Sequence, residues 1–169
     1  MNKQSLFFTF IVAVVNTALL LMFLQYFVKR LKIKPEANSA ISHSYTIWIS
    51  SILITYLMLL KVALNLIENA IEIIIFSKVI DDTFLQVIQR IAVYTGFTFL
   101  FTFFSYYIVH NILGLTMGNR IDSIEIEKEN KGYFIIKGVL QIGLVFSLLD
   151  IFEHFLQWFA PMVDTPFYH

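Results

Sequence analysis

The chain has 169 residues, of which 58% are hydrophobic and 17% aromatic but only 14% charged, against roughly a quarter charged in an ordinary soluble domain. With a mean hydropathy of +0.74, its apolar surface exceeds what one core of this size hides, so lipid must cover the rest and the chain reads as an integral membrane protein. Twelve basic and twelve acidic residues cancel, which removes net charge as a reason to bind nucleic acid, and the lack of cysteine excludes disulfides, thiolate catalysis and thiolate-held metal centres.

The first apolar stretch, Phe7 to Val28, is interrupted only by Thr9, Asn16, Thr17 and Gln25 and spans about 33 Å as a helix, a full crossing. A cleaved signal peptide is the rival reading, but its apolar region would be roughly half as long and would end at a small-residue cleavage site. Asn16 and Gln25 are expected to bond a neighbouring helix or a carbonyl. A basic link with Lys29, Arg30, Lys32, Lys34 and Pro35 follows, and Asn38 is expected to cap the next helix.

The second crossing is expected from about Ile41 to Leu60, continuing as an amphipathic helix to Phe76. Together these run about 54 Å, too long for one bilayer. In the extension, Lys61, Asn65, Glu68, Asn69 and Glu72 fall on one helical stripe. Asn65, Glu68, Asn69 and Glu72 are candidates to face a cation through oxygen ligands, with a wet helix face as the plainer alternative. Ser77 to Thr83, containing Asp81 and Asp82, reads as a turn.

The third crossing is expected from Ile91 to Val109. Its strip of Thr95, Thr98, Thr102 and Ser105 suits close packing inward, while Phe97, Phe99, Phe101, Phe103, Phe104 and Tyr107 are expected to meet lipid or neighbouring subunits. Residues 113–131, with the acidic run Asp122, Glu125, Glu127 and Glu129, read as a polar loop containing at most a short strand or helical turn. Asn130 is expected to cap the fourth crossing, Gly132 to Leu149. Beyond it Asp150, Glu153, His154 and Gln157 again share a stripe, Trp158 is an interface anchor and Pro161 ends the helix.

The expected fold is therefore all-α and integral to the membrane: a single membrane domain, 1–169, of four transmembrane helices in two hairpins, 6–77 and 88–160, with amphipathic extensions after helices two and four. The even-numbered helices can be laid over one another with Asn38 on Asn130, Lys61 on Glu153 and Asn65 on Gln157. Strict identities are few, so a parallel repeat rests on spacing and polarity. In that register Lys61 and Glu153 are expected to pair near the outer interface, with Asp150 and His154 completing a polar cluster; solvated interfacial charges are the alternative.

The segments Glu36, Asn38, Ala40 and Glu129, Asn130, Gly132, each an acidic residue, an asparagine and a small residue before an apolar run, resemble the bacterial four-helix inner-membrane proteins grouped as domain of unknown function 350. The resemblance covers about fifteen residues and implies a membrane location without an activity. The chain departs from that family in its longer loop before helix four, fewer glycines in its even helices and its extended tails.

Basic residues set the expected orientation. Lys29, Arg30, Lys32 and Lys34 in the first link and Arg120, Lys128, Lys131 and Lys137 around the third outnumber Lys3, Lys61, Lys78 and Arg90, placing both basic links in the cytoplasm and both termini outside, in a bacterial inner membrane. The expected partners are lipid and either further copies of the chain or other membrane subunits. No nucleotide loop, serine-nucleophile elbow or zinc-protease helix is present, so no catalytic, cofactor or metal residues are expected and the chain does not read as an enzyme. His43 and His110 at cytoplasmic helix ends leave a haem or quinone reading as the weakest of three, with His154 and His169 read as interfacial. The first is a small oligomeric transport-like or channel-like protein of open substrate, and the second a non-catalytic accessory subunit of a larger membrane complex.

Overall fold

Four long helices carry most of the chain. The computed structural model describes residues 3–37, 40–76 and 82–161. In order these form α1 (Lys3–Arg30), the two-residue strands β1 (Glu36–Ala37) and β2 (Ala40–Ile41), α2 (His43–Phe76), α3 (Thr83–Met117), the short α4 (Asp122–Glu127) and α5 (Lys131–Gln157). The helices α1, α2, α3 and α5 are each long and apolar enough to cross a membrane. At 34 and 35 residues, α2 and α3 extend about 50 Å, beyond a hydrocarbon core of roughly 30 Å.

Several expected boundaries move. The helix α2 starts at His43, where the Ser42 hydroxyl accepts from the Tyr45 amide at 3.2 Å, so Ser42 does the capping that Asn38 was expected to do. Asn38 itself, like Asp81 and His169, lies outside the described residues. Before Ser42 the chain doubles back in an antiparallel pair, Glu36 opposite Ile41 and Ala37 opposite Ala40, and this delays the helix. Asn38 thus precedes its helix by five residues while Asn130 immediately precedes α5, so laying one asparagine on the other does not align the helix starts. The third helix runs from Thr83 to Met117 rather than from 91 to 109: Arg90 stays inside it by reaching the Phe159 carbonyl (Nη1 to O 2.5 Å), and Asn111 by bonding the Tyr107 carbonyl at 2.8 Å. The supposed loop 113–131 is correspondingly short, and α4 occupies half of what is left.

The links 31–42 and 118–130 meet at one end of the bundle. Lys34 pairs with Glu127 at 3.1 Å, and the Ser44 amide and hydroxyl both donate to Glu129 Oε2 at 3.3 Å. At the opposite end the Ser5 hydroxyl donates to Glu72 Oε1 at 3.1 Å and Arg90 reaches Phe159. The long helices therefore alternate in direction, with α2 and α5 parallel and packed together.

Of the four spans, α2 is the most buried and α1 the least. The stripe Trp48, Ile52, Tyr56, Leu59, Ala63, Ile67, Ala70 and Ile74 runs buried along α2 at steps of three and four, the period of one helix face, and packs on α3 and α5. Burying a face of α2 against two neighbours requires their facing sides to be small or shaped to fit. Thr98, Thr102 and Ser105 supply this on α3 as expected, each hydroxyl bonded to its own helix at 2.8 Å. The aromatic residues of α3 divide differently from expectation. Phe97 meets Phe155 of α5 edge to face and Phe101 meets Phe152 at a tilt, each with centroids 4.8 Å apart, Phe99 lies 4.9 Å from Tyr56 and Phe103 5.0 Å from Phe23, and only Phe104 and Tyr107 of the six face outward. Aromatic pairs of this geometry tie helices together where lipid offers no hydrophobic drive. Outward-facing apolar residues such as Phe7, Phe10, Met22, Leu100, Val139 and Phe146 form a surface fit for lipid and far too apolar for water.

Candidate functional site

Where the two links gather, α3, α4 and α5 close around a charged cluster. Lys137 stands two turns into α5 and is 2% exposed, and Asp122 at the start of α4 is 8% exposed. Charges this deep are costly unless paired and hydrogen-bonded, and here they are. Lys137 Nζ lies 2.6 Å from Asp122 Oδ2. The Tyr106 hydroxyl of α3 donates to the same oxygen, and Tyr133 of α5 donates to Oδ1 at 3.3 Å. Trp48 of α2 reaches in through its indole N–H, which donates to the Tyr106 hydroxyl at 3.1 Å.

The ammonium has two further neighbours: His110 Nδ1 at 3.2 Å and the face of the Tyr106 ring, with its centroid 4.2 Å away, a cation–π contact. An ammonium has only donors, so His110 must present a lone pair at Nδ1 and carry its proton on Nε2. His110 Nδ1 is also 3.9 Å from Asp122 Oδ1. Protonating Nδ1 would set two positive groups against each other and draw the imidazole toward the carboxylate. Lys137, His110 and Asp122 thus form one charged network joined by contacts of 2.6 to 3.9 Å.

Sequence spacing explains how the cluster forms. Tyr106 and His110 are one turn apart on α3, and Tyr133 and Lys137 one turn apart on α5, so each pair projects from one face. The helix α4 turns Asp122, Glu125 and Ile126 inward and leaves Ile121 and Ile124 exposed, the reverse of a water-facing helix. Around this centre, Glu125 receives Asn130 Nδ2 at 2.5 Å and Arg120 Nη1 at 3.1 Å, while Asn130 Oδ1 accepts from the Tyr133 amide at 3.3 Å. Asn130 thus caps α5 as expected and also positions Tyr133. The Asn130 hydrogen bond, helped by Arg120 and opposed by burial, holds the Glu125 carboxyl below the usual glutamate range. Glu129 is lowered in the same direction, first by Ser42 and then by Ser44. A cavity of about 260 Å³ opens onto the cluster, lined by Tyr106, His110, Arg120 and Asp122 with Phe27 of α1 and Leu31 just after it.

Asn130 and His110 apart, the residues singled out from sequence lie elsewhere. Lys61, Asp150 and His154 are exposed and Glu153 half-buried at the opposite end. Among the described residues no ion pair joins Lys61 to Glu153; Glu153 accepts instead from Gln157 at 3.4 Å, and His154 meets Gln157 at 3.3 Å. On the α2 stripe, Asn65 and Asn69 are exposed while Glu68 and Glu72 are half-buried, and Glu72 takes the Ser5 hydroxyl, so the four do not converge. Among the described residues no group of three histidine or acidic side chains is arranged to hold a metal. His43 is exposed at the start of α2 and His110 is engaged by Lys137, so the two are not a facing pair. Asn16 bonds the Val12 carbonyl of its own helix at 2.8 Å, whereas Gln25 is exposed. Lys137, counted from sequence among the loop's basic residues, is inside the bundle. Its position six residues into an apolar helix is the signal that could have exposed the site, because an intramembrane lysine needs a partner.

No known family model, curated protein or solved structure matches the chain.

Proposed function

We propose that the protein is a small transport-like membrane protein in which Lys137, Asp122 and His110 bind protons and pass them between the cavity at the linked end and the bundle interior. The observation that carries this reading is the position of a nearly fully buried lysine in a spanning helix, 2.6 Å from one acid and 3.2 Å from a histidine, both of which line a cavity at the linked end. Ionisable groups inside spanning helices mark ion and proton routes by default. Both basic links lie at the cavity end, which by the positive-inside rule supports a cytoplasmic cavity in a bacterial inner membrane with both termini outside. Four helices enclose little space, which favours a homo-oligomer as the working unit. The reading rests on this site and does not draw on the resemblance to domain of unknown function 350.

The direct test is reconstitution into liposomes loaded with a pH-reporting dye under an imposed potential. Wild type should dissipate the gradient well above empty liposomes, and the paired variant Lys137→Met with Asp122→Asn should return it to that background. Equal flux from the two proteins would overturn the proposal.

A second reading, the accessory subunit, is favoured by the saturation of Asp122, which receives Lys137, Tyr106 and Tyr133 at once and so suits a clamp on α3, α4 and α5. It predicts stoichiometric recovery with other membrane proteins and no flux in isolation.

A further inference from the structure

We infer that Gln141 binds water near the middle of the membrane, and that this water continues the route that starts at Lys137. Gln141 lies ten residues into α5, about 15 Å from its start and so roughly half-way through a hydrocarbon core. It is 0% exposed, and neither its amide nitrogen nor its carbonyl oxygen has a hydrogen-bond partner. A buried carboxamide offers two donors and an acceptor, and leaving all of them bare in lipid is costly.

The surroundings identify the ligand. Gln141 follows Lys137 by one turn, on the face of α5 that also carries buried Gly138. There α5 comes so close to α2 that a Cβ on Gly138 would lie 3.0 Å from the Ser51 Cβ. The inner faces at this depth carry Ser51 and Thr55 of α2 and Thr102 and Ser105 of α3, all buried. Every one of these hydroxyls spends its hydrogen on a carbonyl of its own helix at 2.7 to 2.8 Å, so each can only accept. Buried hydroxyl oxygens that can only accept, on the helices packed against α5, together with an amide that both donates and accepts, suit a small neutral molecule with two donors and two lone pairs, which is water. A cation would find oxygens but also the Lys137 ammonium one turn away, and an anion would meet hydroxyl oxygens that only accept, with that ammonium already paired to Asp122.

Hydration at Gln141 stands on this geometry alone, while its part in a route rests on the proton-passing reading. The test uses the full chain in lipid nanodiscs with 15N-labelled glutamine, measuring magnetisation transfer from water to the side-chain amide, with Gln141→Met to assign the signal. A strong water cross-peak at Gln141 is expected, and liposome proton flux in Gln141→Met should fall at least tenfold at unchanged folding. No water cross-peak in the wild type overturns the site, a measurement that does not depend on the variant folding. A cross-peak with undiminished flux in Gln141→Met overturns the route and keeps the site. A cross-peak in a wild-type protein that passes no protons supports the hydrated site and overturns the proposed function instead.

Discussion

Replacing Lys137 with methionine is the sharpest probe of the cluster. The substitution keeps most of the side-chain volume but removes the charge 2.6 Å from Asp122 Oδ2, leaving an 8% exposed carboxylate with the Tyr106 and Tyr133 hydroxyls as its remaining close donors. Breaking one side of a buried pair costs about 3–5 kcal/mol, and the two phenols put the expected loss near the lower end, about 3 kcal/mol. For a chain of this size that is a fall in Tm of roughly 6–12 °C. Adding Asp122→Asn removes the stranded charge while keeping a hydrogen-bonding side chain, so the double variant should regain about 2 kcal/mol of the loss. The assay is thermal unfolding of the four proteins of this double-mutant cycle in one detergent at pH 7. A loss below about 1 kcal/mol for Lys137→Met, or simple additivity in the double variant, would refute the buried pair.

Three further outcomes are expected. Because the Glu125 and Glu129 carboxyls are held below the usual range, their contribution to stability is fully present above the unfolded glutamate value of about 4.3 and is lost as pH falls through the lowered folded values; Tm should be level from neutral pH down to that region and then drop, and Glu125→Gln should make the drop shallower. An alanine at Gly138 meets Ser51 at 3.0 Å while one at Gly143 meets nothing within 4 Å, so Gly138→Ala should destabilise by about 1–3 kcal/mol and Gly143→Ala should be neutral or stabilise by up to about 1 kcal/mol; equal effects in thermal unfolding would contradict the close approach of α5 to α2. Exchanging the charges of Lys61 and Glu153 should show no rescue of either single variant in the same assay, and a coupling above about 0.5 kcal/mol would mean the two side chains meet.

The spanning helices were legible in the sequence because lipid imposes a length of apolar run that few other structures need, and the hydroxyl strip of α3 because its spacing leaves one narrow face. The ends were harder to read. Arg90 and Asn111 look like terminators of α3, yet each finds a carbonyl and the helix continues past it. Ser42 displaced Asn38 as the cap because a two-residue strand pair, invisible to periodicity, takes up the intervening chain. The site was missed for a related reason. An acidic run between two apolar segments reads as solvated loop, but in α4 Asp122 and Glu125 face in while Ile124 faces out, and this arrangement makes sense only once Lys137, Tyr106 and Tyr133 are known to converge on Asp122. Lys61 and Glu153 were attractive because one-dimensional alignment placed them together; the helix starts do not support that register.

The sparse packing of α1 bears on how the molecule is made. Thr9, Asn16 and Thr17 each bond the carbonyl four residues back, so α1, which is made before α2, α3 and α5, satisfies much of its own polarity and can wait in lipid without them. The last cannot. With Lys137 and Gln141 uncovered, α5 would enter the bilayer at a cost of roughly 2.5–3.5 kcal/mol for the lysine alone, relieved only after α2, α3 and α4 are present to receive it. Biogenesis thus has a direction, in which α2, α3 and α4 form the receptacle and α5 locks it, and a truncation before α5 should leave an assembly intermediate with Asp122 lacking its lysine for membrane quality control to detect.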